Sequence, residues 1–446
     1  MFKNRFVSKI IKLTLVISLI MMTLFFKQSV YAIDSCPMSA LRFSSTSNRI
    51  YVTGEGVTCT IAELSTYFPK QIIQQTSGIF LLRSSITIAS GAELNISGSG
   101  AGGTANEVRL LSNNSSVANS TVDITADYGK ISTSSTKITS WDEAAAGPDL
   151  EYASFKRAFI RVRSKLVNSI PQVSTMNINN SDIGYLGYNA SESYGVVWKV
   201  SSTNFDQVDV LGSITNSRLH HNYFGAYTYG AYAMQITNNE FDNNVKYGID
   251  PHDDSDYLTI TGNNVHHNGN HGIICSKRCN NLTISNNTSA YNVGHGIMLH
   301  RSVDNSVVEN NTVKYNSDAG IALFESNNNI IRGNTLEGNK NSLRLSVGAS
   351  YNRFENNNVI SSTDKAIYTY KGSDIPVRGD GINRGNIWNG NIISRSKNYV
   401  MKLNATDQDR FENNDFRNNP GAVYDYSAAT NTVFSGNSTD SGVVLP

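Results

Sequence analysis

Residues 262–276 read GNNVHHNGNHGIICS, residues 285–299 SNNTSAYNVGHGIML and residues 309–323 ENNTVKYNSDAGIAL. The same template precedes them in NNEFDNNVKYGIDPH (238–252) and follows them in GNTLEGNKNSLRLS (333–346). Its glycines, Gly248, Gly272, Gly296 and Gly320, fall 24 residues apart, each followed by isoleucine or its equivalent. An asparagine before Val or Thr recurs at Asn264, Asn287, Asn311, Asn334 and Asn358, spaced 23 or 24. A period of this length, with short β-branched runs between Asn/Gly corners, is the signature of a solenoid. The LxxLxL pattern of leucine-rich repeats is missing and helical repeats need longer units. Each unit instead carries two or three short strand-like pieces separated by polar turns. The reading is all-β: one right-handed parallel β-helix with coils of about 23–24 residues, its asparagines stacked in register at one corner, as in other in-register ladders.

The period then serves as a coordinate system. With Ile249, Ile273, Ile297 and Ile321 pointing inward, residues one and three further along point outward, because strand side chains alternate. One outward column is Tyr227, Asp250, Ile274, Met298, Ala322, Arg344 and Tyr368; the next is Tyr229, His252, Ser276, His300, Phe324, Ser346 and Tyr370. Lys277, Arg301, Glu325 and Lys371 run beside them. Coils about 4.8 Å apart make this a continuous strip of aromatics, imidazoles and cations, suited to a long acidic chain.

Outside the repeats the chain is less regular. MFKNRFVSKIIK followed by an apolar run from Leu13 to Phe26, with VYA ending at Ala32, has the layout of a cleaved secretory signal. Residues 33–446 are expected to form the β-helix: 33–150 as N-terminal cap and early coils, 151–420 as core coils carrying the groove, 421–446 as a last coil and tail. TYFPKQIIQQ (66–75) reads as a short helix closing the apolar end, and SWDEAAAGPDLEYASFKRAF (140–159) as an insertion over one face. Lys+Arg is 37 against Asp+Glu 36, which argues against a nucleic-acid partner and leaves any polyanion to a local stripe of cations. The four cysteines pair most locally as 36–59 and 275–279, as disulfides in an exported protein or as free thiols. No thiolate metal motif is present.

The densest chemistry is YGIDPHDDSD at 247–256, with four carboxylates, an imidazole and a phenol in ten positions. Asp253, Asp254 and Asp256 fail the spacing of a calcium loop and read as turn residues, so no metal is expected. No cofactor is expected either.

YGIDPHD and the downstream HGIICSK, with SWDEAAAGP and GYLGYNASESYG upstream, resemble the periplasmic mannuronan C5-epimerases of the alginate pathway, from about residue 105 to 370. YG-x-DPH is also similar to the core of the secreted modular alginate epimerases. The resemblance implies conversion of β-D-mannuronate into α-L-guluronate within the polymer. It implies His252 as proton acceptor, Tyr247 as its paired tyrosine and Asp250 as the motif's aspartate. Lys277 falls where the periplasmic family has an arginine that neutralises the substrate carboxylate; the charge is kept and the bidentate fork lost. Asp254 departs from the family's DPHDRS, and Gly294 stands where the modular enzymes carry arginine. The calcium-binding nonapeptide repeats of the modular enzymes are absent.

The chemistry wants these groups. The C5 proton lies alpha to a charged carboxylate, so its removal needs a cation or strong donor to offset the second negative charge. Lys277 and Arg301 are the candidates, with Arg344 holding another uronate further along. An imidazole takes the proton, and Asp250, two residues before His252 on the same side of the strand, orients it or raises its pKa. Reprotonation from the opposite face falls to Tyr247 or a water, with His271 and His295, stacked above Tyr247 at the same repeat position, as alternatives. Tyr227, Tyr229 and His300 line the strip as substrate contacts. Two other readings stand beside epimerisation. A polysaccharide lyase shares the proton abstraction and then expels the 4-linked sugar. A non-catalytic carbohydrate-binding β-helix shares the asparagine ladder alone. Partners are expected to be an anionic polysaccharide such as polymannuronate or alginate and a complex with export machinery, with no membrane contact after signal cleavage, in the periplasm or outside the cell.

Overall fold

The computed structural model describes residues 35–201 and 204–446, so the expected signal segment, residues 1–32, lies outside the described residues. The chain winds as a parallel β-helix. Each turn contributes a strand to each of three long sheets of 16, 14 and 16 strands, and a three-stranded sheet joins near the C-terminus. One turn runs from Thr259–Thr261 to Asn264–His266 to Ile273–Ser276, one strand in each sheet. The sheet holding Ile273–Ser276, called the groove sheet below, runs parallel from Arg49–Thr53 to Val423–Asp425, with Ile170–Gln172 added antiparallel beside Phe159–Val167. Before residue 150 the chain already builds turns of this solenoid, but longer ones: equivalent positions are 38 residues apart from Ser85 to Asp123 and 24 apart from Asn239 to Asn263.

The isoleucines placed inward by the repeat are inward, with Ile249, Ile273, Ile297 and Ile321 fully buried. Their register is direct, Ile249 to Ile273 to Ile297 to Ile321. Near the C-terminal end the interior fills with a column of rings, Phe354, Trp388, Phe411 and Phe434, at centroid separations of 3.9, 5.4 and 5.0 Å.

Asparagine columns occupy three corners rather than one. Asn239, Asn263, Asn287, Asn311, Asn334 and Asn357 form the first; Asn222, Asn244, Asn268, Asn292, Asn316 and Asn339 the second; Asn329, Asn352 and Asn386 the third, ending on Asp409. Two expected rungs shift by one residue: Asn263 and Asn357 stack, not Asn264 and Asn358. The cause is backbone geometry. Each rung follows a residue at positive φ, Gly262 (70°) and Asn356 (52°) at these two corners, so Asn264 and Asn358 already begin the next strand. Glycine and asparagine tolerate that left-handed conformation best.

The N-terminal end is closed by the helix Ile61–Tyr67, five residues upstream of the expected one. Thr60 and Glu63 cap it reciprocally, the Glu63 N–H donating to Thr60 Oγ1 and the Thr60 N–H to Glu63 Oε2. The β-branched pair in IIQQ instead opens the strand Ile72–Thr76. Cys36 and Cys59 form a disulfide beside this cap. Cys275 and Cys279 do not pair; both are free and buried in the core, Cys279 Sγ lying 3.0 Å from the Ser276 carbonyl. Of the segment 140–159, Ser140–Asp142 belong to a strand and Gly147–Pro148 turn back onto it, leaving a loop that crosses to Phe159–Val167.

Candidate functional site

Both outward columns stand in the expected register. Tyr227 neighbours Asp250 and Tyr229 neighbours His252; His252 neighbours Ser276, Ser276 neighbours His300, and His300 neighbours Phe324. Arg344 follows Ala322 and precedes Tyr368. These groups therefore share one sheet and one face. Ile274, Met298, Ala322 and Phe324 pack into a small apolar cluster with Tyr247 against it, a dry floor between the polar groups.

His252 ends the strand Ile249–His252. The His252 imidazole lies nearly parallel to the Tyr229 ring at 6.4 Å between centroids and tilted by 35° to the Tyr227 ring at 5.8 Å. The next residue, Asp253, turns the corner at φ 31°. That turn brings its Oδ2 against His252 Nδ1, while its Oδ1 accepts from Arg278 at 2.7 Å. Burial pushes the Asp253 carboxyl up, but His252, Lys277 and Arg278 more than offset this and hold it below the usual range. The carboxylate that touches the imidazole is thus Asp253 rather than the expected Asp250. With Asp253 against Nδ1, Nε2 is the ring nitrogen left for a substrate.

Asp250 is 2 % exposed, and its Oδ1 is without a hydrogen-bond partner. Burial on the apolar floor, with Asp253 adding repulsion, holds its carboxyl well above the ordinary value. The native chain therefore keeps a proton there at pH values where the unfolded chain has lost it. The resulting penalty is absent below about pH 4 and grows as the pH rises toward the folded value. Asp250→Asn is expected to stabilise the fold at pH 7 by about 1–3 kcal/mol and to leave it unchanged at pH 3. Thermal unfolding at the two pH values checks this; equal stabilities at both would show that the carboxyl is not held protonated.

Tyr247 stacks on His271 at 5.3 Å and His271 on His295 at 4.6 Å, nearly parallel. His271 Nδ1 accepts the His295 backbone N–H at 2.9 Å and His295 Nδ1 that of Ala319 at 3.1 Å, so neither Nδ1 carries a proton and both rings are neutral; His295 Nε2 in turn faces the Arg344 guanidinium at 3.1 Å. Burial, aided by Arg344, pushes His271 down to about 4 and His295 well below its ordinary value. Burial and Arg301 push His300 down to about 4. These three present uncharged imidazoles to the groove. Burial and Asp250 together raise the Tyr247 phenol, which keeps it protonated and able to donate. Gly294 belongs to the same stack: a Cβ there would meet His271 Nδ1 at 2.3 Å, which leaves no room for arginine.

The three expected cations differ in their engagement. Arg301 pairs with Asp374 at 2.9 Å and lies over Phe324 at 5.4 Å. Arg344 pairs with Asp318 at 3.2 Å, close to His295. Lys277, half-buried at a φ of 58°, makes no ion pair among the described residues. Arg278 and Asp253 are the site residues that the repeat did not single out. The available signal was charge complementarity one coil apart: Asp253 and Asp254 at one corner, Lys277 and Arg278 at the equivalent corner above. Arg278 grips both aspartates, so the cation that DPHDRS would place at residue 254 comes here from the next coil.

A cleft of about 470 Å³ lined by Phe205, Asp206, Tyr229, Asp253, Asp254 and Arg278 opens beside the imidazole. A larger hollow of about 800 Å³ runs along the asparagine corner past Asp182, Arg218 and Glu240, and none of the groups converging on His252 lines it. Among the described residues no cluster of metal-ligating side chains occurs, and no helix is long and apolar enough to cross a membrane.

A family profile described as a right handed beta helix region matches residues 169–305 and 253–382. Over 199 residues, 43% of this chain and 34% of the relative, the chain is 31% identical to the mannuronan C5-epimerase of Pseudomonas fluorescens. Over 216 residues, 46% of this chain and 37% of the relative, it is 30% identical to the mannuronan C5-epimerase AlgG of Azotobacter vinelandii. The crystal structure of the periplasmic alginate epimerase AlgG superposes with a TM-score of 0.68 at 21% identity, covering 88% of this chain and 85% of that one, which establishes the fold. The chain is a right-handed parallel β-helix, related in sequence to the mannuronan C5-epimerases over about a third of their length.

Proposed function

We propose that the protein inverts C5 of mannuronate residues within a polyuronate, turning β-D-mannuronate into α-L-guluronate. The observation that carries this reading is the tethered imidazole, His252 with Asp253 on its Nδ1, standing one strand from an unpaired lysine, Lys277, in a groove with an apolar floor. The relatives' names supply the substrate class.

In this reading His252 Nε2 removes the C5 proton. Lys277 offsets the charge that builds on the substrate carboxylate. Asp253 stabilises the imidazolium that forms, and Arg278 keeps Asp253 in place. Tyr247, a phenol held protonated, or a water returns a proton to the other face. Arg301 and Arg344, already paired, hold neighbouring uronates. The protein acts after export, in the periplasm or beyond, and meets the polymer there, in company with the export machinery.

Polymannuronate incubated with the protein should gain the proton NMR signals of guluronate at constant chain length. Growth of the unsaturated-uronate absorbance with chain shortening would make the protein a lyase, and a polymer that is bound but unchanged would make it a binding protein. Lys277→Met should lower kcat/KM about a hundredfold, the scale of one lost electrostatic contact to a developing charge, whereas Lys277→Arg keeps the charge and should retain most activity. Steady-state kinetics separates the two; equal losses in both variants would mean that Lys277 does not face the substrate carboxylate.

A further inference from the structure

The groove sheet continues past the site toward the N-terminus, and its outward columns continue with it. Tyr229 is paired with Lys199, and Lys199 with Arg163; Tyr227 is paired with Val197, and Val197 with Arg161. Lys199 Nζ lies 4.8 Å from the Tyr229 ring centroid, so the line Arg163, Lys199, Tyr229, His252 is unbroken. At about 4.8 Å per strand, Lys199 sits roughly 10 Å and Arg163 roughly 14 Å from the imidazole.

Into these cations reaches a carboxylate that belongs to no strand of the sheet. Glu192 approaches Lys199 at 3.0 Å, Arg161 at 3.4 Å and Arg163 at 3.6 Å. It sits at φ 64° in a short loop, and left-handed backbone is disfavoured for a glutamate. The loop is bounded by Gly187 (φ 83°) and Gly195 (φ 128°). It closes on itself, Tyr188 N–H donating to the Ser193 carbonyl and Ser193 N–H to that of Ala190, both at 3.0 Å. Its last ring, Tyr194, stacks on Phe224 at 4.6 Å and meets Tyr227 at 5.0 Å, which connects the loop to the aromatic wall beside His252. Nearby, Asp127 serves Arg163 and Lys165, at 3.1 and 3.2 Å. Four cations then face two carboxylates, and removing Glu192 leaves an excess of three positive charges.

We propose that Arg161, Arg163 and Lys199 form a carboxylate-binding subsite for a uronate ring of the polymer, and that Glu192 occupies it in the unliganded protein as an internal stand-in. This rests on the reading of the groove as a polyuronate site. A chain long enough to span from His252 to Lys199 displaces the Glu192 side chain and replaces its charge. A short chain leaves Glu192 in place. The loop thereby makes affinity depend on chain length.

The test is calorimetric binding of a mannuronate dimer and of an oligomer of about ten residues, with C5 deuterium exchange followed in the same samples. Glu192→Gln should bind the long oligomer about fivefold more tightly than the wild type and the dimer equally, the scale expected for relieving a partly exposed ion-pair cluster. Adding Lys199→Met to Glu192→Gln should cancel the gain. Unchanged or weaker binding of the long oligomer by Glu192→Gln overturns the proposal, as does a lowered melting temperature with lost affinity, which would make the ion pairs a structural clamp. Should the wild type bind both oligomers without exchanging deuterium, the epimerase reading falls while the affinities still decide the subsite. Binding of neither overturns both.

Discussion

His252→Gln should lower the rate of C5 inversion by roughly three orders of magnitude, the contribution of a positioned general base, while leaving the melting curve close to that of the wild type. The side chain is partly exposed and its backbone pairs with the coils on either side through main-chain groups, so the fold does not depend on the ring. Glutamine preserves a polar group of similar reach but cannot accept and hold a proton. Asp253→Asn should have a smaller effect of the same sign, because it spares the base and removes the charge that steadies the imidazolium. Initial rates on polymannuronate read both. A His252→Gln variant with more than a tenth of wild-type activity would assign the base elsewhere in the groove.

Asn311→Leu should destabilise the fold by about 3–5 kcal/mol. Asn311 Oδ1 accepts both the backbone N–H and the side-chain amide of Asn287, at 2.9 and 3.0 Å, and its Nδ2 donates to the Ile284 carbonyl and to Asn334 Oδ1, at 2.9 and 3.0 Å. It is 1 % exposed, so leucine strands a backbone donor and a backbone acceptor away from water and leaves the Asn287 and Asn334 amides each one partner short. Orphaned buried polar groups cost about 1–3 kcal/mol each, partly offset by apolar burial. Asn264→Leu is the matched control: one residue past its corner and exposed, it should change stability by less than about 0.5 kcal/mol. Urea unfolding of the two variants measures the difference, and similar losses in both would contradict the observed stacking positions.

That pair of asparagines also shows what the sequence makes legible. The columns of the groove sheet follow from two quantities visible in the letters, the 24-residue period and strand alternation, so His252, Ser276 and His300 fall into line without coordinates. Which of two adjacent asparagines forms the rung depends on which residue takes positive φ, and the doublet GNN at 262–264 does not declare it. The same uncertainty hid Asp253. Its carboxylate meets His252 only because the corner turns at that residue, whereas Asp250, two positions away on the same strand, faces the buried floor. Cys275 and Cys279 are close in sequence, yet a corner intervenes and both thiols enter the core unpaired. Glu192 lay in a stretch whose resemblance was clear but whose folding back onto Arg161, Arg163 and Lys199 requires the three-dimensional path of the loop.

In the proposed mechanism His252 and Lys277 converge on C5 of a uronate ring in the groove. The most direct measurement of this is epimerisation of polymannuronate in deuterium oxide, read by NMR at C5. One solvent deuteron at C5 of each newly formed guluronate, with no unsaturated ends and no signal from the His252→Gln variant, is the predicted result. Polymannuronate recovered without deuterium at C5, under conditions where it binds the wild-type protein, would contradict it.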